Sequence, residues 1–289
     1  MGVHKVPPNC QSMIKQIKEG FKGEGIGTPD MKYYAFDWDD NIVHMPTKIM
    51  LKTEDGDEIG MSTDDFAEYR HNLGKNPFKY KGKTIVGLAD EAFRNFKTDG
   101  DKDFLIDSMR AKEGPAFRDF REAINNGSIF SIVTARGHKP ETLKQAVYNY
   151  IVSGYNGIDK DQLIKNLKKY RTFVGEEDMS DDDLIKSYLE LNRYHPVTFG
   201  EGSAANPEEL KVKAMDEFVS YIKGIAGILN KKAYIKNDIS NNFIPEQPSI
   251  GFSDDDIKNV EVMSKHFKDK PDNIVKTYST AGGIKKEYK

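Results

Sequence analysis

The sequence predicts an α/β fold with a mostly parallel central sheet flanked by helices, and three observations carry that prediction. First, three short apolar runs stop abruptly at polar or acidic residues. Tyr33-Tyr-Ala-Phe36 runs into Asp37-Trp-Asp-Asp40, Ser128-Ile-Phe-Ser-Ile-Val133 into Thr134-Ala-Arg-Gly-His138, and Ser249-Ile-Gly-Phe252 into Ser253-Asp-Asp-Asp256. Runs of this length and kind read as buried strands. Second, helical patterns separate them, and strands alternating with helices imply a parallel sheet covered on both faces. Third, all three polar clusters follow the carboxyl ends of these strands, where open α/β sheets bind ligands.

The elements follow in order. A short amphipathic helix about Gln11–Phe21 precedes a Gly-rich connector at 20–27, and the first strand occupies 31–37. Residues 46–61 read as a hairpin, KIMLK and IGM about the turn EDGDE. Ser62 to Asp65 has the composition of a helix N-cap leading into 66–72. KTIVGL at 83–88 reads as a strand and 90–96 as a short helix. Phe117, Phe120 and Ile124 share one face of a helix over 115–125, and Gly127 stops it. A helix over 140–152 follows the Thr134 loop. The charged stretch 159–193 reads as helical, with Asp181-Asp-Asp183 as a start. A short strand at 195–199, a long helix at 207–229 opened by Pro207, and an edge strand at 232–236 come next. The strand at 249–252, a helix near 256–267, a strand at 273–279 and a basic tail complete the chain.

Composition narrows the function classes. The chain has 289 residues, room for a conventional core plus an extra module. Its 43 basic and 46 acidic residues leave a net charge of -3, so no global basic field marks a dedicated nucleic-acid binder. The single cysteine, Cys10, excludes an internal disulfide and suits a reducing compartment. No run approaches the roughly 18–20 apolar residues of a membrane span, and the N-terminus lacks a secretory apolar core. The expected location is cytoplasmic.

The chemistry begins at Asp37 and Asp39. With Trp38 between them, extended geometry points both carboxylates the same way. A packed core has no need of three acids within four residues, and a divalent metal offsets their repulsion most directly. The ordered set of apolar strand plus Asp-x-Asp, apolar strand plus Thr, lysine near a helix start, and apolar strand plus acidic pair resembles the haloacid dehalogenase-like hydrolase superfamily. That superfamily consists mostly of magnesium-dependent phosphatases with a Rossmann-like core. Over the four motifs, about half the chain, the resemblance implies the following roles. Asp37 is the nucleophile that forms an aspartyl-phosphate. Asp39 is the general acid/base, protonated part of the time in a crowded acidic site, and its main-chain carbonyl binds Mg2+. Thr134, with backbone N–H groups of the following loop, contacts the transferring phosphoryl group, which makes Ala135 and Arg136 substrate-binding positions. His138 is a further candidate contact. Lys211, in Asn206-Pro-Glu-Glu-Leu-Lys211, matches the motif lysine, with Lys213 as the alternative. Asp254 and Asp255 are candidate metal ligands beside Asp37 and Asp39, with Asp254 ahead; Asp256 also reads as a helix cap.

The implied organisation is a catalytic core at 1–45, 113–152 and 206–289, an insertion or cap at 46–112, and a second helical insertion at 153–205. Tyr33, Trp38, Tyr69, Phe78 and Tyr80 are candidates for a base-stacking surface. The expected activity is phosphomonoester hydrolysis of a small phosphorylated metabolite or nucleotide. The alternatives are a phosphatase for nucleic-acid ends, as in polynucleotide kinase–phosphatases, and a catalytically silent binding protein. No GxxxxGK[ST] P-loop is present.

Overall fold

A computed structural model describes residues 32–172, 179–201, 206–236, 248–271 and 274–289. The expected N-terminal helix and Cys10 lie outside them.

Twelve strands and eight helices fall within the described residues. The strands are β1 (Lys32–Phe36), β2 (Val43–His44), β3 (Ile49–Thr53), β4 (Glu58–Met61), β5 (Phe78–Tyr80), β6 (Lys83–Leu88), β7 (Lys112–Glu113), β8 (Phe130–Thr134), β9 (Arg193–Pro196), β10 (Ser249–Asp254), β11 (Val275–Ser279) and β12 (Lys286–Tyr288). The helices are α1 (Thr63–Tyr69), α2 (Asp101–Ser108), α3 (Phe117–Asn125), α4 (Pro140–Ser153), α5 (Lys160–Thr172), α6 (Asp181–Leu191), α7 (Pro207–Lys236) and α8 (Ile257–Lys268).

The main sheet has six strands in the order β12-β11-β10-β1-β8-β9. All neighbours are parallel except β11 and β12. β1 therefore sits mid-sheet between β10 and β8, and the three polar clusters read from the sequence end side by side. Parallel strands buried on both faces favour continuous apolar runs, and β8 is buried throughout. On one face Phe36 meets Phe120 of α3 edge-on, with Phe130 against the same ring. The other face, which carries Ala35, Ser131 and Arg193, is covered by α7; Arg193 stacks over Tyr221 of that helix.

The excursion at 46–112 leaves through β2 and returns through β7, which pair antiparallel as a two-stranded neck. Gly114 lies just beyond the neck and donates its N–H to Ile42 O at 2.8 Å. A Cβ there would stand 2.5 Å from Asn41 O, so the return path requires glycine. Inside the excursion β4-β3-β6-β5 form a separate antiparallel sheet. Its own core is Leu51, Met61, Tyr80 and Ile85, with Phe66, Tyr69 and Phe78 against them. The hairpin and the Ser62 cap agree with expectation; Ser62 Oγ accepts the Asp65 N–H at 3.2 Å. α2 behaves differently, because its Phe104 joins the main core.

The structure corrects three expectations. Among the described residues of 153–205, Leu163, Leu167, Leu184, Tyr188 and Leu191 of α5 and α6 share the main hydrophobic cluster, and β9 pairs with β8, so these elements pack as part of the core. They form the crossover between adjacent parallel strands. Residues 232–236 continue α7 as helix rather than forming an edge strand; a short apolar run cannot by itself distinguish the two. The tail contains the edge strand β12 instead. Finally, the candidate stacking residues do not form one exposed surface: Tyr33, Trp38 and Tyr80 are buried, and Tyr69 and Phe78 are half-buried in a different cluster. Trp38 is stacked on Tyr150 with no exposure, Tyr33 is buried, and Tyr69 packs on Phe78 and Tyr80 within the insertion. No described helix is long and apolar enough to cross a membrane.

Candidate active site

The site assembles at the carboxyl ends of β1, β8 and β10. Phe36 pairs with Ser253, so Asp37 and Asp254, one residue further on each strand, lie side by side on the face that α7 covers. Asn206 and Pro207 start that helix, Asn206 Oδ1 accepting the Glu208 N–H at 3.2 Å. Lys211, near its N-terminus, then reaches both acids: Nζ donates to Asp37 Oδ1 at 2.9 Å and to Asp254 Oδ2 at 2.7 Å. Lys211 is 2% exposed, whereas Lys213 is exposed, because only the face that also carries Ala214 and Met215 points inward.

One ammonium faces an excess of carboxylate. Asp37, Asp254 and Asp255 each offer an oxygen, and these oxygens lie within 4.8 Å of one another. Burial pushes the Asp37 carboxyl up to about 8, with the Asp254 charge adding to it against the opposing pull of Lys211. Burial also raises Asp254. Asp255 is pushed well above the carboxylate range by burial and then by the charges of Asp254 and Asp37. For Lys211, burial works to lower the value, but Asp254 and Asp37 prevail and raise it. Three hard oxygen donors with one counter-charge fit a hard divalent cation. Both Asp254 and Asp255 belong to this group, and Asp254 is the better anchored. It accepts from the Asp256 N–H at 3.0 Å and from Asn259 Nδ2 on both oxygens at 3.1 Å. Asp256 is the N-cap of α8, as its position suggested.

Asp39 stands apart from that acidic group. Its carboxylate takes a two-pronged hydrogen bond from Arg136, Nε to Oδ2 at 2.8 Å and Nη2 to Oδ1 at 2.7 Å. The crowding expected at Asp39 therefore falls on Asp37, Asp254 and Asp255. Arg136 differs from its expected substrate-facing position. It is 1% exposed, its remaining Nη2 bond goes to Thr47 Oγ1 at 3.1 Å, and Nη1 faces His138 Nε2 at 3.2 Å. His138 is fully buried, as is Thr134, which ends β8 and accepts the Arg136 N–H on Oγ1 at 3.4 Å. Ala135 lies in the same loop, its carbonyl accepting from Thr198 Oγ1 at 2.9 Å.

Two further residues tie the loop ends together. Asn41, buried, donates to Asp37 O at 3.0 Å and to Ser253 O and Oγ at 3.1 Å, and accepts from Thr280 Oγ1 at 2.9 Å. Asp40, in a left-handed conformation (φ 51°), is raised by burial; it pairs with His44 at 2.8 Å and accepts from Thr63. Sequence reasoning missed Asn259, Thr280 and Thr47. A polar residue on the buried face of α8 was the available signal for Asn259; no local signal marks the other two.

No protein-family model, curated protein or solved structure matches this chain.

Proposed function

We propose that this chain is a magnesium-dependent phosphomonoester hydrolase that forms an aspartyl-phosphate on Asp37 and acts on a small phosphorylated metabolite or nucleotide. The observation that supports this reading best is the buried Lys211, which bridges Asp37 and Asp254 at the ends of two adjacent strands. A buried lysine shared by two buried carboxylates is costly as mere scaffolding and well suited to holding a nucleophile in line while neutralising phosphoryl oxygens.

Asp37 attacks phosphorus, the bond to the ester oxygen breaks, and Asp39 delivers a proton to the departing oxygen. Asp39 then takes a proton from a water whose oxygen attacks the same phosphorus, which releases phosphate and restores Asp37. Arg136 aims Asp39 through both carboxylate oxygens, each of which retains a second lone pair for the proton in transit. The Thr134 hydroxyl and the N–H groups of its loop bind the phosphoryl oxygens. Asp37, Asp254, Asp255 and the Asp39 carbonyl would hold Mg2+, which when bound favours the ionised carboxylates and neutralises charge on the phosphoryl group. Asn41 and Asn259 keep the strand ends and Asp254 in register.

The test is hydrolysis of p-nitrophenyl phosphate with and without magnesium, wild type beside Asp37→Asn. Turnover that requires magnesium and disappears in the variant is the expected result. A folded wild type with no turnover on this ester or on a broad phosphoester panel overturns the proposal in favour of a binding protein.

A further inference from the structure

Arg136 lies in a slot whose walls come largely from the 46–112 excursion. Its guanidinium stands 4.6 Å from the Phe96 ring centroid and 5.0 Å from that of Phe104, while Thr47 takes one of its hydrogens. The excursion also docks on the loop directly, with Gly137 donating its N–H to Phe96 O at 2.8 Å. Behind the guanidinium stands a second pair, His138 Nδ1 and Asp101 Oδ1 at 2.8 Å. Asp101 is the first residue of α2, so it too belongs to the excursion.

Hydrogen-bond chemistry orders this chain. Arginine has donors only and stays charged, so the His138 Nε2 facing Nη1 must accept. The imidazole proton is therefore on Nδ1 and is donated to Asp101. Burial and the neighbouring Arg136 charge both hold His138 below its usual value, which keeps the ring neutral. The result is one connected path: Asp39, Arg136, His138, Asp101.

We infer that the excursion sets the proton-transfer geometry of the active site, with Asp101 and His138 as positioning residues that hold Arg136 and, through it, Asp39. This inference rests on the assignment of Asp39 as acid/base. Its chemical consequence is selective: an ill-aimed general acid matters most where the leaving oxygen needs a proton, and least where it departs readily as an anion.

The experiment compares phenyl phosphate, a poor leaving group, with p-nitrophenyl phosphate, a good one, in the full chain with magnesium. For Asp101→Ala, kcat on phenyl phosphate is expected to fall about tenfold more than on p-nitrophenyl phosphate, with KM nearly unchanged. His138→Gln, which retains an acceptor for Arg136, is expected to recover most of the loss seen in His138→Leu. Equal losses on both esters, or no loss, overturn the positioning role and leave the hydrolase reading standing. A wild type inert on both esters overturns the hydrolase reading and the catalytic role of the path with it. Nitrogen-15 NMR of wild-type His138 tests the path without activity: a neutral ring protonated on Nδ1 is expected, and protonation on Nε2 refutes it.

Discussion

Arg136 and Lys211 hold three of the four acids of this site between them, and each does so from burial. Lys211 holds Asp37 and Asp254; Arg136 holds Asp39. Removing one partner of a buried pair leaves charge without compensation, at a cost of about 3–5 kcal/mol. Lys211→Met is therefore expected to lose about that much stability at neutral pH by urea denaturation, while Lys213→Met, altering an exposed side chain, stays within about 0.5 kcal/mol of wild type. A Lys211→Met midpoint equal to wild type would refute the buried-bridge description. Asp37, Asp39, Thr134 and Asp254 were legible as candidates because each lies within three residues of the end of an apolar run. The partner of Asp39 was not legible. Arg136 appeared substrate-facing because a loop after a strand is normally open, and the rings that enclose it, Phe96 and Phe104, come from a segment with no local mark of that duty.

At the scale of elements, the ends of β1, β8 and β10 form the site and the packing around them sets its tolerance. Gly114 passes so close to Asn41 that a methyl group must displace the loop bearing Asp37. Gly114→Ala is expected to cost about 1–3 kcal/mol, read as a shift in the urea midpoint. On β9, His195 has its Nε2 buried without a partner among the described residues. Burial, assisted by Arg193, holds its value at about 4 against the ordinary 6.5. The unfolded chain therefore takes up a proton that the folded chain refuses, so this contribution to stability is complete above about pH 6.5 and is lost as pH falls towards 4. The loss expected by pH 4 is roughly 2–3 kcal/mol. His195→Gln is expected to flatten that part of the stability profile; an unchanged profile assigns the acid sensitivity to other groups. The strand types were legible from apolar runs, but β9 begins two residues earlier than predicted, since its start is set by pairing with β8 and its own composition marks it weakly.

At the scale of the whole molecule, an antiparallel module rides on a parallel core and reaches across the carboxyl ends of its strands. Arg70, just after α1, bonds Asp256 at 2.9 Å and approaches Glu208 at 4.0 Å, linking the module to the cap of α8 and the first turn of α7. Such partly exposed pairs are worth under about 1 kcal/mol. Arg70→Ala is thus expected to leave the urea midpoint nearly unchanged while amide exchange in α1 accelerates; unchanged exchange would show that the link does not hold the module down. The α/β class, the order of the main-sheet motifs and most helix starts followed from sequence alone, because apolar period, caps and breakers are local properties of the chain. Only the tertiary structure decided that α5 and α6 belong to the core, that Tyr80 and Phe96 of the module are buried, and that Asp101 and His138 stand behind Arg136. Those facts depend on which apolar faces find one another across long sequence separations, and no local pattern encodes that choice.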